Sequence, residues 1–368
     1  MDTSCLVLES DGKLSVRAED CLKVLYKQQV NSKILGQNTA ISSADLEQNL
    51  ALGFSDKPFI LIIQPNQLRY SQKIPITGKL NTIALSPDGV LVAYSSGDHV
   101  YVHDVVSQKL LCTLKTHYRP VTCLTFTDDS SYLISGSMDS SVHCIKFHQH
   151  LFYDEMNEEK KRHDKVLNSH TNAITAVKAG FGGLNCKIYS SSLDKTIKIW
   201  DLRTGILMHS IEHNCQIIGF CIDFSEKTLY FADILGNCTK QFLFSSNEKI
   251  SSSQKNSHIS IKKPISHISL SSNCSKLYVI INETTLSMFD AYNCHLLKTI
   301  TFSNKIVLTK SFLSRSNYFD SFDNQEVGLE YKEVHTLEDI EMDSDVIIDE
   351  EEIDNQFYKC IDIENIET

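Results

Sequence analysis

The stretch Ser190-Ser191-Ser192-Leu193-Asp194-Lys195-Thr196-Ile197-Lys198-Ile199-Trp200-Asp201 decides the fold. Small polar residues close one strand, an acid sits in a tight turn, and an alternating strand ends on Trp-Asp. The pattern returns at Gly97-Asp98 before Val100-Tyr101-Val102-His103-Asp104, and at Met138-Asp139 before Val142-His143-Cys144-Ile145. Weaker copies stand at Gly236-Asn237 before Thr239-Lys240-Gln241-Phe242, and at Asn282-Glu283 before Leu286-Ser287-Met288-Phe289-Asp290. From Asp98 to Asp139, Asp194, Gly236 and Asn282 the steps are 41, 55, 42 and 46 residues. A four-stranded propeller blade takes about 40–45 residues. The repeat therefore predicts an all-β chain folded as a β-propeller, with an insertion in the one long step.

Counting outward from the clear copies predicts seven blades. The first uses Cys5-Leu6-Val7-Leu8, Lys13-Leu14-Ser15-Val16 and Leu22-Lys23-Val24-Leu25; a weak second runs from 36 to 71 around Phe59-Ile60-Leu61-Ile62-Ile63. The third, 78–115, is punctuated by Ser86-Pro87-Asp88-Gly89, where Pro presets φ for the turn and Gly relieves the next residue. The fourth opens at His117 and carries the polar insertion His148 to Lys165; the fifth spans 170–212. The sixth and seventh, 214–250 and 258–301, are expected to flank a linker at Ser251–Asn256. Lys305-Ile306-Val307-Leu308-Thr309 reads as a further strand that completes a first blade short of its outer members. Such closure removes an exposed sheet edge.

The chain has 368 residues and a net charge of −11. Residues 315–368 hold 18 acids against 3 Lys/Arg, whereas residues 1–314 stand at +4. The expected organisation is a mildly basic propeller, 1–314, followed by an acidic tail, 315–368, disordered or forming a short helix. Within it Ile353, Phe357 and Ile361 fall on one helical face and are candidate interaction residues. Twelve Cys without a Cys-x-x-Cys pair, scattered in apolar strands, read as reduced buried thiols of an intracellular protein. In that setting the three Asn-x-Ser/Thr triplets, at Asn237, Asn273 and Asn282, carry no meaning. The N-terminus lacks the pattern of a signal peptide, and no apolar run nears the ~18 residues of a membrane span.

His170, Ser190 or Ser192, Asp194 and Trp200 form a candidate structural hydrogen-bonding set in the fifth blade, and His117 and Asp139 repeat it in the fourth, with Ile145 in place of Trp. A His-Ser-Asp triad is the catalytic reading of those residues; the structural one is preferred, because a buried imidazole and hydroxyl need partners. No nucleophile elbow, dinucleotide fingerprint or phosphate loop is present, so no catalytic residue and no cofactor is expected. Fourteen His lack ligand-like spacing, and His148-Gln149-His150 reads as a surface loop, so no metal is expected either. Lys160-Lys161-Arg162, flanked by Glu158, Glu159 and Asp164, reads as a solvated loop. Trp200-Asp201-Leu202-Arg203 resembles the Trp-Asp-x-Arg box by which some propellers dock on cullin-type ubiquitin ligases, which makes Arg203 the contact of an alternative, substrate-receptor function.

More specific is the run His117-Tyr118-Arg119-Pro120-Val121-Thr122-Cys123-Leu124-Thr125-Phe126-Thr127-Asp128-Asp129-Ser130-Ser131, then Ile134-Ser135-Gly136. After the polar insertion follow Ser169-His170, Ile174-Thr175, Phe181-Gly182-Gly183, Ser191-Ser192-Leu193-Asp194 and Trp200. In this order the residues resemble the WD repeat-containing protein 18 family, the WD-repeat subunit of the rixosome, chiefly over 78–250. The resemblance implies a non-catalytic scaffold of a nuclear complex for pre-rRNA processing and large ribosomal subunit maturation. It implies helical-repeat subunits of that complex and the pre-ribosomal large-subunit particle as partners, with a remodelling ATPase reached through the complex and no membrane. Location in the nucleolus and nucleoplasm follows from it. The seventh blade, around Ile280-Ile281-Asn282-Glu283-Thr284-Thr285, departs from the family pattern, as does the short acidic C-terminal region, which weakens any inference of self-association.

Overall fold

In the computed structural model the described residues are 2–9, 13–18, 24–29, 39–43, 50–54, 58–64, 69–146, 164–243, 257–271, 273–303 and 306–314. They form seven four-stranded antiparallel sheets and a single turn of 3₁₀ helix at Gly183–Asn185. Blade 1 combines Asp2–Glu9, Lys13–Ala18 and Val24–Gln29 with Ile306–Ser314. Blade 2 holds Thr39–Ser43, Leu50–Phe54, Phe59–Gln64 and Arg69–Pro75; blade 3 holds Thr82–Leu85, Leu91–Ser96, His99–Asp104 and Leu110–Lys115. Blade 4 is built from Val121–Phe126, Tyr132–Ser137, Val142–Lys146 and Lys165–Leu167, and blade 5 from Ile174–Ala179, Lys187–Ser192, Thr196–Asp201 and Leu207–Glu212. Blade 6 has Ile217–Ile222, Thr228–Asp233, Asn237–Phe242 and Ser257–Ser260; blade 7 has Ile265–Leu270, Lys276–Ile281, Thr285–Asp290 and Leu296–Thr301.

The first strands of blades 2 to 7 touch one another in order, and Ile306–Ser314 contacts both Ile265–Leu270 and Thr39–Ser43. The ring thus closes through the C-terminal strand. That strand takes the inner position of blade 1, paired with Asp2–Glu9, and not the outer position expected from the sequence. The reason is chain direction. Every blade runs from an inner to an outer strand, so the segment after Thr301, at the outer edge of blade 7, next fills an inner position.

Each blade lies between two neighbours, and the second strands of blades 3 to 7 are buried at five or six of their six positions. Tyr132–Ser137 is buried at all six positions, whereas the outer strands Leu207–Glu212 and Leu296–Thr301 are largely exposed. For the same reason Leu277-Tyr278-Val279-Ile280-Ile281 does not alternate: both its faces are core. The core lies between blades. Trp200 packs with Ile134, Cys144, Ile174 and Ile188 between blades 4 and 5. Gly136 permits this approach, since a Cβ there would meet Cys123 Sγ and Ile174 Cγ2, each at 2.7 Å. Thr122 Oγ1 adds a cross-blade bond, donating to the Ile174 carbonyl at 2.7 Å.

Two segment assignments change. Ser257–Ser260 pairs with Asn237–Phe242 and is the outer strand of blade 6, whereas the sequence reading opens blade 7 at 258. Lys165, expected inside the insertion, lies in the outer strand of blade 4 opposite Cys144. The other insertion residues expected at 148–163, the Ser251–Asn256 segment and the tail 315–368 lie outside the described residues, and with them Ile353, Phe357 and Ile361. Nine of the described cysteines, from Cys112 to Cys294, are free thiols; burial pushes Cys123 up to about 12.

Candidate interaction faces and their polar locks

Antiparallel blades have two ends. One end carries the turns between second and third strands together with the connections to the next blade. The other carries the turns between first and second and between third and fourth strands.

At the first end each of blades 4 and 5 is closed by a hydrogen-bonded lock. In blade 5, His170 Nδ1 lies 2.7 Å from Asp194 Oδ2, and its Nε2 lies 2.8 Å from Ser190 Oγ. Trp200 Nε1 donates to the same Ser190 oxygen at 2.9 Å. The directions are fixed by the ends of the relay. The indole can only donate, so the Ser190 O–H donates to His170 Nε2, and Nδ1–H donates to the carboxylate. This uses every polar atom of a neutral imidazole. Burial, the largest influence, pushes the pKa of His170 below its ordinary value against the pull of Asp194. Asp194 is held in turn by the Thr171 and Thr196 backbone N–H groups and by Thr196 Oγ1.

Register decides between the two candidate serines. Ile188 pairs with Trp200, which places Ser190 diagonally beside the indole on the same face. Ser192 instead shapes the turn, its hydroxyl donating to the Asn172 carbonyl and accepting the Asp194 N–H. In blade 4 the structure brings together His117, Asp139 and Ser135, with His117 Nδ1 at 2.9 Å from Asp139 and Nε2 at 2.8 Å from Ser135. Ile145 stands at the Trp position, so Ser135 receives no indole N–H. Burial pushes the Asp139 carboxyl up, but hydrogen bonds from Ser141 and from the Ser141 and Tyr118 backbone, with His117 beside it, hold it down to about 2. His143 packs edge-on against His117, ring centres 4.3 Å apart, and burial beside that second imidazole pushes it down to about 4.

Two further locks escaped the sequence reading. In blade 3, Thr77 replaces His and Tyr94 replaces Ser; the Thr77 N–H donates to Tyr94 Oη at 3.3 Å. In blade 6, His213 faces Asp233 at 3.2 Å through Nε2. The acid has moved two positions towards the N-terminus: Leu235 fills the turn place, and Asp233 stands where blade 5 has Ser192. A search for an acid at the turn position alone does not find it.

At the opposite end the loop Phe181-Gly182-Gly183 is held from both sides. The Asp128 carboxylate of blade 4 accepts the N–H groups of Gly182 at 3.0 Å and Gly183 at 2.8 Å. Glu226 of blade 6 accepts the Phe181 N–H at 2.8 Å and the Tyr189 hydroxyl at 3.0 Å. Both glycines take positive φ, +112° and +56°, which leaves their N–H groups free to point at the acid. Phe181 meets Phe224 of blade 6, ring centres 4.3 Å apart, and Phe224 is 68% exposed. Lys165 caps the third-to-fourth-strand turn of blade 5, donating to the carbonyls of Leu202, at 2.7 Å, and Arg203. Lys240 of blade 6 does the same for Ala291 and Tyr292 of blade 7, at 3.0 and 2.8 Å.

The Trp200-Asp201-Leu202-Arg203 box is consumed internally. Trp200 is 3% and Leu202 1% exposed. Asp201 accepts the Arg203 and Thr204 N–H groups and is partly buried, so only Arg203 of the box is exposed.

Repeating blades with this lock match the WD domain, G-beta repeat family, over residues 108–146 and 161–201. The chain carries WD repeats. Its relatives include WD repeat-containing protein 18 of Bos taurus, 33% identical over 159 residues, 43% of this chain and 36% of that protein. The human protein of that name is 32% identical over 173 residues, 47% of this chain and 40% of the relative. Pre-rRNA-processing protein IPI3 of Mycosarcoma maydis is 30% identical over 171 residues, 44% and 29% of the two chains. The matched stretch of this chain thus spans well under half the length of those relatives.

Proposed function

We propose that this chain is a non-catalytic scaffold subunit acting in pre-rRNA processing and large ribosomal subunit maturation, in the nucleolus and nucleoplasm. The observation that carries the reading is similarity to both WD repeat-containing protein 18 and a pre-rRNA-processing protein. The geometry agrees with a scaffold. Neither His-Ser-Asp set is poised as a nucleophile: Ser135 and Ser190 are both fully buried, and the Ser190 oxygen already accepts the Trp200 indole. A propeller alone does not specify function, which resides on its faces and loops. On this reading the propeller, 1–314, holds helical-repeat partners, and the acidic segment 315–368 adds a second interaction element.

Affinity purification of the full-length chain followed by mass spectrometry tests this. Helical-repeat subunits and pre-ribosomal large-subunit proteins are the expected partners. Recovery of cullin adaptors without any ribosome-assembly protein would overturn it.

A further inference from the structure

In blades 4 and 5 the histidine four residues before the first strand meets an acid in the turn through Nδ1. Blade 6 departs from this at three positions together. His213 presents Nε2 to a carboxylate, Asp233 supplies that carboxylate from the strand end, and Cys215 stands where blades 4 and 5 carry Arg119 and Asn172. One ligand-type atom from each residue, an imidazole nitrogen, a thiol sulfur and a carboxylate oxygen, lies within 4.8 Å of the other two.

The three groups are differently held. Asp233 is 1% exposed, and Asn237 fixes both its oxygens, the backbone N–H at 2.8 Å to Oδ1 and the side-chain amide at 3.0 Å to Oδ2. This is the outer support that orients a ligating carboxylate. His213 packs edge-on against Phe231 at 5.0 Å, which sets its ring plane. His213 and Cys215 are only partly buried, so the cluster opens on one side to solvent. The 3.2 Å between His213 Nε2 and Asp233 Oδ2 is close to the roughly 3.3 Å between two donors on a tetrahedral ion at about 2.0–2.1 Å.

We propose that His213, Cys215 and Asp233 form a zinc-binding site at the blade 6 end of the propeller. The donor set selects the metal: one nitrogen, one sulfur and one oxygen suit Zn²⁺, whereas Mg²⁺ and Ca²⁺ require oxygen shells. The ion ties the connection from blade 5 to the second strand of blade 6, replacing the His-Ser-Asp lock that this blade lacks. Three protein ligands leave a fourth position on the open side, held by water or by a carboxylate or imidazole of a binding partner. The thiol gives up its proton on binding, so affinity falls on acidification.

The test is a titration of chelator-treated full-length protein with zinc chloride, read by isothermal titration calorimetry, with Co²⁺ as a spectroscopic probe. One tight equivalent is expected, with a thiolate-to-cobalt charge-transfer band and a melting temperature that rises with zinc. Cys215→Ser, checked for folding by circular dichroism, should remove one equivalent, the band and the thermal response; His213→Ala should do likewise, and Cys112→Ser should not. No tight equivalent in the wild type overturns the proposal. An equivalent that survives in folded Cys215→Ser and His213→Ala also overturns it, placing zinc among other histidines and cysteines of the chain.

Discussion

Ser190→Ala is the sharpest probe of the blade 5 lock. The Ser190 oxygen accepts Trp200 Nε1–H at 2.9 Å and its hydroxyl donates to His170 Nε2 at 2.8 Å, all three groups being buried. Removing the hydroxyl strands two polar atoms, each costing about 1–3 kcal/mol when buried without a partner, so about 2–6 kcal/mol in sum. His170 cannot repair this by changing tautomer, because Nδ1 must keep its proton for Asp194. Ser135→Ala in blade 4 strands only His117 Nε2, for about 1–3 kcal/mol, since Ile145 offers no N–H. In a Trp200→Phe background the Ser190→Ala cost should shrink by about 1–3 kcal/mol, the coupling that a double-mutant cycle isolates. Urea midpoints followed by far-UV circular dichroism serve all variants, whereas fluorescence of Trp200, the single tryptophan, serves those that retain it. Equal costs for Ser190→Ala and Ser135→Ala, together with no coupling to Trp200, would refute the relay.

Stability should fall on acidification in two stages. The depressed pKa values of His117, His170 and His143, the last at about 4, mean the unfolded chain binds protons first as pH drops below 6.5. Asp139, held at about 2 against 3.8, keeps its contribution, on the order of 2 kcal/mol, above pH 3.8 and loses it on descent towards pH 2. A melting temperature flat from pH 7 to pH 4 would contradict the first stage. Replacing 148–163 by a short Gly/Ser linker should leave the melting transition unchanged, since closure entropy grows slowly with length. Extending the replacement through Lys165 should lower it, because the Leu202 and Arg203 carbonyls lose their cap. Deleting 324–368 should leave the propeller's melting intact while weakening at least one co-purifying partner, and Ile353, Phe357 and Ile361 changed together to Ser should reproduce the loss. Unchanged co-purification in both leaves the tail a solubilising role only.

Much of this architecture is local and was legible as sequence. The turn acids Asp139 and Asp194, the Pro87-Asp88-Gly89 turn and the Trp200-Asp201 strand end each report a hairpin within about ten residues, so blades 3 to 5 stand out. What depends on pairing over distance was not legible. That Ser190 and not Ser192 meets the indole follows from the register of Lys187–Ser192 against Thr196–Asp201. The inner position of Ile306–Ser314 follows from the direction in which every blade is laid down. Ser257–Ser260 reads from sequence as part of blade 7 because the gap before it is long for a turn within a blade. His213, Cys215 and Asp233 meet only after Ile217–Ile222 and Thr228–Asp233 have paired. The short spacing of His213 and Cys215 was the one local hint.

The central claim is tested most directly by pre-rRNA itself. Acute depletion of the chain in its own cells, followed by northern analysis, should show precursors of the large-subunit rRNA accumulating while the mature large-subunit rRNA declines. Re-expression of the full-length chain should reverse both changes. Unaltered precursor levels on complete depletion would contradict the assignment to pre-rRNA processing.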